Sequence, residues 1–174
     1  MLNYGMTYAG ALRSQSFKEF SGMVKILFVC HGNICRSPMA EFIFKDLAAR
    51  AGLGKKYVAA SAATSTEEIG NPVYPPARRK LLEHGISCEG KTARQMEHRD
   101  YREYDLLLGM DGANLRNMRL IAGGDPAGKI RRLMDYVPRP RDVADPWYTG
   151  DFDRTWDDLS EGCRALLRAL EGEG

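Results

Sequence analysis

A nearly continuous apolar stretch runs from Val24 to Val29 and contains one polar residue, Lys25. A strand in the middle of a parallel sheet is buried on both faces, so it lacks the alternation of polar and apolar positions seen in a half-exposed strand. The stretch therefore predicts a central parallel strand. A helical pattern follows at residues 38–51, with Ser37 as the expected N-cap and Pro38 at the first helical position.

Further strands and helices alternate along the chain. In order, the pattern predicts a strand at 57–61, a polar loop at 61–66, a helix at 75–84 that stops at Gly85, a strand at 106–110, a helix that has Asp111 as its N-cap and reaches about Leu120, and a strand at 130–134. A proline-stiffened connection at 137–151 precedes a closing helix, whose apolar face comprises Phe152, Trp156, Leu159, Cys163, Leu166 and Leu170. This order predicts a single-domain three-layer α/β fold: a central four-stranded parallel sheet flanked by helices, with ligands outside the carboxyl ends of the strands.

The segment with the clearest chemistry comes directly after the first predicted strand and reads Cys30-His31-Gly32-Asn33-Ile34-Cys35-Arg36-Ser37-Pro38. The residues between Cys30 and Arg36 are enough for a loop whose backbone N–H groups converge on one point. A helix N-terminus and such amides favour a bound dianion, and an arginine can hold two of its oxygens at once. The same field favours a thiolate at Cys30. The segment thus predicts a phosphate-binding loop with a nucleophile at its base.

Three further residues of this segment each have a predicted role. Gly32 allows the backbone to approach an anion, and Asn33 tolerates a left-handed conformation that leaves its amide group free to brace the loop. The Ser37 hydroxyl, if it does not cap the helix, would point at Cys30 and stabilise both the thiolate and the leaving thiol.

Composition and net charge limit the kinds of binding partner and cellular compartment to be expected. A formal net charge of +2, with Lys and Arg spread along the chain, argues against nucleic acid and favours a compact phosphorylated group or a similar oxyanion. The four cysteines show no disulfide-framework spacing, and a thiolate enzyme needs a reducing compartment, which predicts a cytoplasmic location. No apolar stretch approaches the ~18 residues of a membrane span, so membrane insertion is not expected.

A second motif, Asp145-Pro146-Trp147-Tyr148, lies far downstream. Together with the Cys30 segment it resembles the low-molecular-weight protein tyrosine phosphatases, and the likeness runs from about Met23 to the C-terminus. The resemblance implies hydrolysis of phosphotyrosine in a protein substrate through a cysteinyl-phosphate on Cys30, with Arg36 holding the phosphate. It also implies that Asp145 is the general acid for the phenolate and later the base for water.

The same resemblance implies which residues contact the substrate or its phosphate: His31, Gly32, Asn33, Ile34, Cys35, Ser37, Trp147 and Tyr148. Trp147 and Tyr148 would form the walls of a slot for the phenyl ring. Isoleucine at position 34 goes with phosphotyrosine in this family, whereas threonine there is associated with phosphoarginine. Many members have glycine where this chain has Ala63, which leaves open what the nearby Ser61 contributes to the loop.

The remaining cysteines have less reactive interpretations. Cys88 and Cys163 are expected to be inert packing residues. Cys35 is either loop filler or a partner that protects Cys30 from over-oxidation by forming a disulfide. Cys30, His31 and Cys35 lack the spacing of a Cys-x-x-Cys knuckle and a fourth ligand, so no metal or other cofactor is expected.

Three alternative functions remain open at this level. A thioredoxin-coupled arsenate reductase would need further resolving cysteines, and a phosphoryl-carrier module would gain nothing from an acid at Asp145. A protein-arginine phosphatase is disfavoured by Ile34. The sequence also divides into an N-terminal extension at residues 1–22, expected to be dispensable, and a phosphatase domain at residues 23–174.

Overall fold

The computed structural model describes residues 22–173. The expected extension at residues 1–22 lies outside the described residues except for Gly22, and its dispensability stays a prediction. No helix within residues 22–173 combines the length and the apolar content that a bilayer crossing requires.

The core of the fold is a parallel sheet of four strands in the order β2-β1-β3-β4. The strands are β1 (Val24–Cys30), β2 (Tyr57–Ala63), β3 (Leu106–Gly109) and β4 (Ile130–Arg132). The central strand β1 pairs with both β2 and β3, and Val29 lies level with Ala62 on one side and Gly109 on the other. Every residue of β1 except Lys25 is buried, which explains its continuous apolar sequence.

Helices cover both faces of this sheet. They are α1 (Arg36–Arg50), α2 (Pro75–Glu83), α3 (Asp100–Glu103), α4 (Gly112–Ala122), α5 (Pro146–Thr149) and α6 (Phe152–Leu170). Alternate side chains of β1 enter two apolar clusters: Ile26 and Phe28 belong to the one that includes α1 and α6, whereas Leu27 and Val29 pack in the one that includes α4. The predicted three-layer architecture is confirmed.

Several predicted boundaries are wrong. Helix α1 begins at Arg36 with Cys35 as its N-cap, because the Ser37 hydroxyl is used inside the first turn rather than as a cap. Strand β2 continues through the predicted polar loop to Ala63. Strand β4 ends at Arg132, since the Asp135 carboxylate accepts a hydrogen bond from the Arg132 N–H (3.3 Å) and starts a 3₁₀ turn at residues 133–135. Helices α3 and α5 were not predicted, because each is too short to show a helical pattern of apolar positions in the sequence.

A close approach at Gly162 holds the closing helix against that 3₁₀ turn. A Cβ atom at Gly162 would lie 2.8 Å from Met134 Sδ and 2.9 Å from Leu133 Cγ. Both distances are too short for carbon contacts, so only glycine lets α6 pack here. By contrast, a Cβ at Gly112, in the first turn of α4, would meet only Arg116 Nη1 at 3.6 Å.

Alanine substitutions at these two helical glycines should have opposite effects on stability. Gly162→Ala is expected to lower the free energy of unfolding by about 1–3 kcal/mol, because overpacking exceeds the gain of roughly 1 kcal/mol in helix propensity. Gly112→Ala should be neutral or slightly stabilising. Urea denaturation of both variants measures the difference, and a Gly162→Ala protein as stable as the parent chain would refute the packing argument.

Candidate active site

The loop between β1 and α1 lies at the carboxyl edge of the sheet, and its carbonyl groups are used by neighbouring segments. The Cys30 carbonyl accepts from the Thr64 N–H (2.9 Å), and the Ile34 carbonyl accepts from the Tyr74 N–H (2.8 Å). None of the N–H groups of residues 31–35 has an acceptor within residues 22–173. These N–H groups, at the N-terminal end of α1, are therefore available to an anion.

Asn33 fixes the shape of this loop. It is the one non-glycine residue with a positive φ, 59°, within residues 22–173. Its Nδ2 donates to Ser37 Oγ (2.8 Å) and to Ser61 Oγ (2.9 Å), while its Oδ1 accepts from the Arg94 N–H (3.1 Å). A left-handed non-glycine residue costs about 1–2 kcal/mol, and buried hydrogen bonds of about 1 kcal/mol each offset that cost.

Behind Asn33, Ser61 connects the loop to a buried carboxylate. Ser61 Oγ donates to Glu41 Oε1 (2.7 Å), and Glu41 is 4% exposed. Two lysines compensate its charge: Lys45 Nζ lies 2.6 Å from Glu41 Oε2, and Lys91 Nζ lies 3.6 Å from Oε1. The sequence left open the contribution of Ser61; in the structure it braces Asn33 from strand β2.

Cys30 lies at the base of the loop beside Ser37. Its Sγ donates to Ser37 Oγ (3.0 Å) and accepts from the Ser37 N–H (3.4 Å). When the thiol is ionised, the hydroxyl can reverse its direction and donate to sulfur. The geometry expected for the Ser37 hydroxyl is thus present.

Arg36 is 2% exposed and is held by three acceptors from distant parts of the chain. Its Nη1 donates to Asp111 Oδ2 (2.7 Å) and to the Val143 carbonyl (2.9 Å), and its Nη2 donates to Asp145 Oδ2 (3.2 Å). Burial works against the charged guanidinium, but the neighbouring Cys30, Asp111 and Asp145 outweigh it and raise the pKa of Arg36. The guanidinium is therefore a permanent positive charge near Cys30.

A cavity of about 320 Å³ opens above these groups. It is lined by Cys30, His31, Gly32, Ile34, Cys35, Arg36, Glu67, Glu68, Asp145, Trp147 and Tyr148. Two of the expected binding residues, Asn33 and Ser37, are not in this lining; they lie buried beneath the loop and support it. The cavity brings together Cys30, Arg36 and Asp145, which are separated in the sequence.

Asp145 is oriented by the short helix α5, whose first residue is Pro146. Its Oδ1 accepts from the Trp147 N–H (3.1 Å) while its Oδ2 faces Arg36. The next two side chains stand at the cavity mouth: Trp147 is 54% and Tyr148 84% exposed. The Trp147 ring also contacts that of Tyr74, with centroids 5.1 Å apart. Exposed aromatic rings here can flank a planar group.

Asp111, Glu67 and Glu68 were not predicted at the site. The sequence identified Asp111 only as the N-cap of a helix, a role it has through its Oδ1, which accepts from the Asn114 N–H (2.8 Å). Glu67 and Glu68 follow β2 and were assigned no role. A usable signal exists, because all three follow the carboxyl ends of strands in a parallel sheet, the edge where ligands bind.

The four cysteines are free thiols in the structure. Burial raises the pKa of Cys35 to about 12, and the charges of Cys30 and Asp145 add to the effect. Burial also raises the pKa of Cys88 and of Cys163. Within residues 22–173 no group of three or more His, Cys, Asp or Glu residues is arranged to hold a metal ion.

The parallel α/β sheet, the free amides and the buried arginine point to the phosphatases as a class. The family model described as low molecular weight phosphotyrosine protein phosphatase matches residues 25–174. The chain is 43% identical over 153 residues to the low molecular weight protein-tyrosine-phosphatase YfkJ of Bacillus subtilis, covering 87% of this chain and 98% of the relative. Identity to the Gallus gallus low molecular weight phosphotyrosine protein phosphatase is 38% over 153 residues, covering 84% and 96%.

The solved structures agree with these sequence relatives. The crystal structure of YfkJ from Bacillus subtilis matches with a TM-score of 0.85 and 42% identity, covering 88% of this chain and 98% of that chain. The chain belongs to the low-molecular-weight protein-tyrosine-phosphatase family and is a hydrolase of that class.

Alkylation at neutral pH should show that Cys30 is more reactive than Cys35. Iodoacetamide is expected to modify Cys30 first and to abolish activity in parallel. Both cysteines line the cavity, but Cys30 Sγ accepts from the Ser37 N–H and lies near the Arg36 charge, whereas Cys35, with a pKa near 12, stays a neutral thiol. Inorganic phosphate should slow the reaction. Peptide mapping by mass spectrometry follows the sites, with Cys88 and Cys163 as internal controls. Equal labelling rates at Cys30 and Cys35 would contradict the assignment.

Proposed function

We propose that this chain hydrolyses phosphotyrosine in proteins in two steps, in which the phosphoryl group is transferred first to Cys30 and then to water. Cys30 is the nucleophile, Arg36 and the free N–H groups of residues 31–35 hold the phosphate, and Asp145 transfers the protons. One observation carries the proposal: Cys30, Arg36 and Asp145 line the same cavity. The family membership established above supports it.

In the first step the Cys30 thiolate attacks phosphorus and the bond from phosphorus to the phenolic oxygen breaks. Phenolate is a poor leaving group, so it needs a proton from the Asp145 carboxyl as it departs. The free N–H groups of residues 31–35 and Arg36 stabilise the negative charge on the three equatorial oxygens in the transition state. The products of this step are tyrosine and a phosphoryl group bonded to Cys30 Sγ.

In the second step water attacks the cysteinyl-phosphate. The Asp145 carboxylate accepts a proton from that water, the bond from phosphorus to sulfur breaks, and inorganic phosphate leaves. The leaving thiolate is stabilised by Ser37, whose N–H and hydroxyl both lie within hydrogen-bonding distance of Cys30 Sγ. Arg36 stays charged throughout, because the neighbouring Cys30, Asp111 and Asp145 raise the pKa of its guanidinium.

Phosphate binding and a phosphoprotein substrate follow from the family. Of the two candidate phosphorylated residues, phosphotyrosine is favoured over phosphoarginine, because Ile34 and the exposed aromatic rings suit a phenyl group. We place the chain in a reducing compartment, the cytoplasm, because all four cysteines are free thiols and the mechanism needs one of them ionised.

The role of Asp145 is tested by varying the leaving group. Asp145→Asn keeps an acceptor for the Trp147 N–H but cannot supply a proton. It is expected to lower kcat/KM for a phosphotyrosine peptide by roughly 10²–10⁴-fold and to have a much smaller effect on p-nitrophenyl phosphate, whose phenolate leaves unaided. Because kcat/KM reports the phosphorylation step, slow breakdown of the cysteinyl-phosphate does not mask the difference.

Asp142→Asn is the matched control for this experiment. Asp142 lies on the same connection but pairs with Arg132 (2.8 Å) and does not line the cavity. It should leave both substrates unaffected. Equal losses of kcat/KM on the two substrates in Asp145→Asn would show that Asp145 is not the acid.

A further inference from the structure

Two adjacent acidic residues on the loop after β2, Glu67 and Glu68, line the cavity. We call this pair the acidic rim. The proposed mechanism does not use it. Both residues line the cavity above Cys30, so a substrate that reaches Cys30 passes beside them.

Glu68 is held in a defined position. Its Oε2 accepts from Asn71 Nδ2 (2.6 Å), and its backbone carbonyl accepts from the Asn71 N–H (2.9 Å). Its Cγ packs over Gly32, where a Cβ atom would lie 3.4 Å away. Its charge also contributes to the raised pKa of Cys35. The carboxylate is therefore held beside residues 31–35, the loop between β1 and α1, which we call the phosphate loop.

Glu67 is the outer member of the acidic rim. Its carboxylate lies 3.0 Å from His31 Nε2, which connects the loop after β2 to the phosphate loop. The Glu67 side chain is 68% exposed and the His31 side chain 50% exposed. Both groups are thus available to the part of a substrate that remains outside the cavity.

The charges around the cavity are unevenly distributed. Within residues 22–173, Arg36 is the one lysine or arginine that lines it, and Arg36 is buried and paired with Asp111 and Asp145. The lysine and arginine charge is therefore confined to the floor, where the phosphate binds, while the His31 imidazole lies against the Glu67 carboxylate. At the mouth, the acidic rim faces whatever flanks the phosphotyrosine.

Resting on the proposed phosphotyrosine hydrolysis, we propose that the acidic rim is a specificity determinant that selects substrates with Lys or Arg next to the phosphotyrosine and disfavours those with Asp or Glu there. Opposite charges at the mouth strengthen binding, and like charges weaken it. Repulsion between the acidic rim and the phosphate dianion does not discriminate between substrates, because all of them carry the same phosphate.

The test uses phosphotyrosine peptides that share one sequence and differ only in their two flanking residues, Lys in one and Glu in the other. At low salt, kcat/KM should be about tenfold higher for the Lys peptide, since each exposed charge pair contributes only modestly. The ratio should fall toward one at ~1 M salt, where charges are screened within about 3 Å.

Glu67→Gln, Glu68→Gln and the double variant should each reduce this ratio, the double variant most. Glutamine keeps the size of the side chain and an acceptor for His31 or Asn71. Because the ratio is taken on each variant separately, changes in overall turnover cancel. Glu103→Gln is the matched control: Glu103 is exposed at the end of α3, just before β3, and therefore at the opposite edge of the sheet. It should leave the ratio unchanged.

Binding of the same peptides to Cys30→Ser, measured by fluorescence anisotropy, separates this proposal from the catalytic one. A wild-type ratio of one, or a ratio that the double variant does not change, overturns the role of the acidic rim even if hydrolysis is fast. If no phosphotyrosine peptide is hydrolysed, the proposed function fails, and the binding ratio still decides for or against the acidic rim.

Discussion

The buried guanidinium of Arg36 is the interaction on which the site depends. An isolated charge in the interior is costly, so it must be compensated by acceptors. Here the acceptors are Asp111 after β3, the carbonyl of Val143, and Asp145 before α5. One side chain thus draws the first turn of α1 together with two segments more than seventy residues away. The charge that organises these loops is also the one to which we assign the phosphate.

The phosphate loop is shaped by a separate set of contacts beneath it. Asn33 adopts its left-handed conformation because Ser37, Ser61 and the Arg94 backbone satisfy its amide group. The Cys30 and Ile34 carbonyls are bound by the neighbouring loops, which leaves the N–H groups of the loop free. Donors fixed before the reaction need no reorganisation when charge develops, which is the largest single advantage such a site has.

The sequence predicted the layers and the position of the loop after β1 more reliably than the connections. The continuous apolar run of β1 and the stripe of α6 are long, strongly patterned segments, and a cysteine, an arginine and a helix start within nine residues permit few other interpretations. Asp145 could be named only by resemblance, because its place beside Arg36 results from a contact across 109 residues. The roles of Asp111 and of the acidic rim were missed for the same reason: they arise where loops meet, and no local periodicity reports that.

In the proposed mechanism a phosphoryl group resides on Cys30 between the two steps. The direct measurement is rapid acid quenching during turnover of a phosphotyrosine peptide, followed by tryptic digestion and fragmentation mass spectrometry of the peptide Ile26–Arg36, which contains both Cys30 and Cys35. We expect a phosphoryl group on Cys30, formed and lost at rates compatible with turnover. Phosphate on Cys35, or turnover with no covalent adduct at either cysteine, would contradict it.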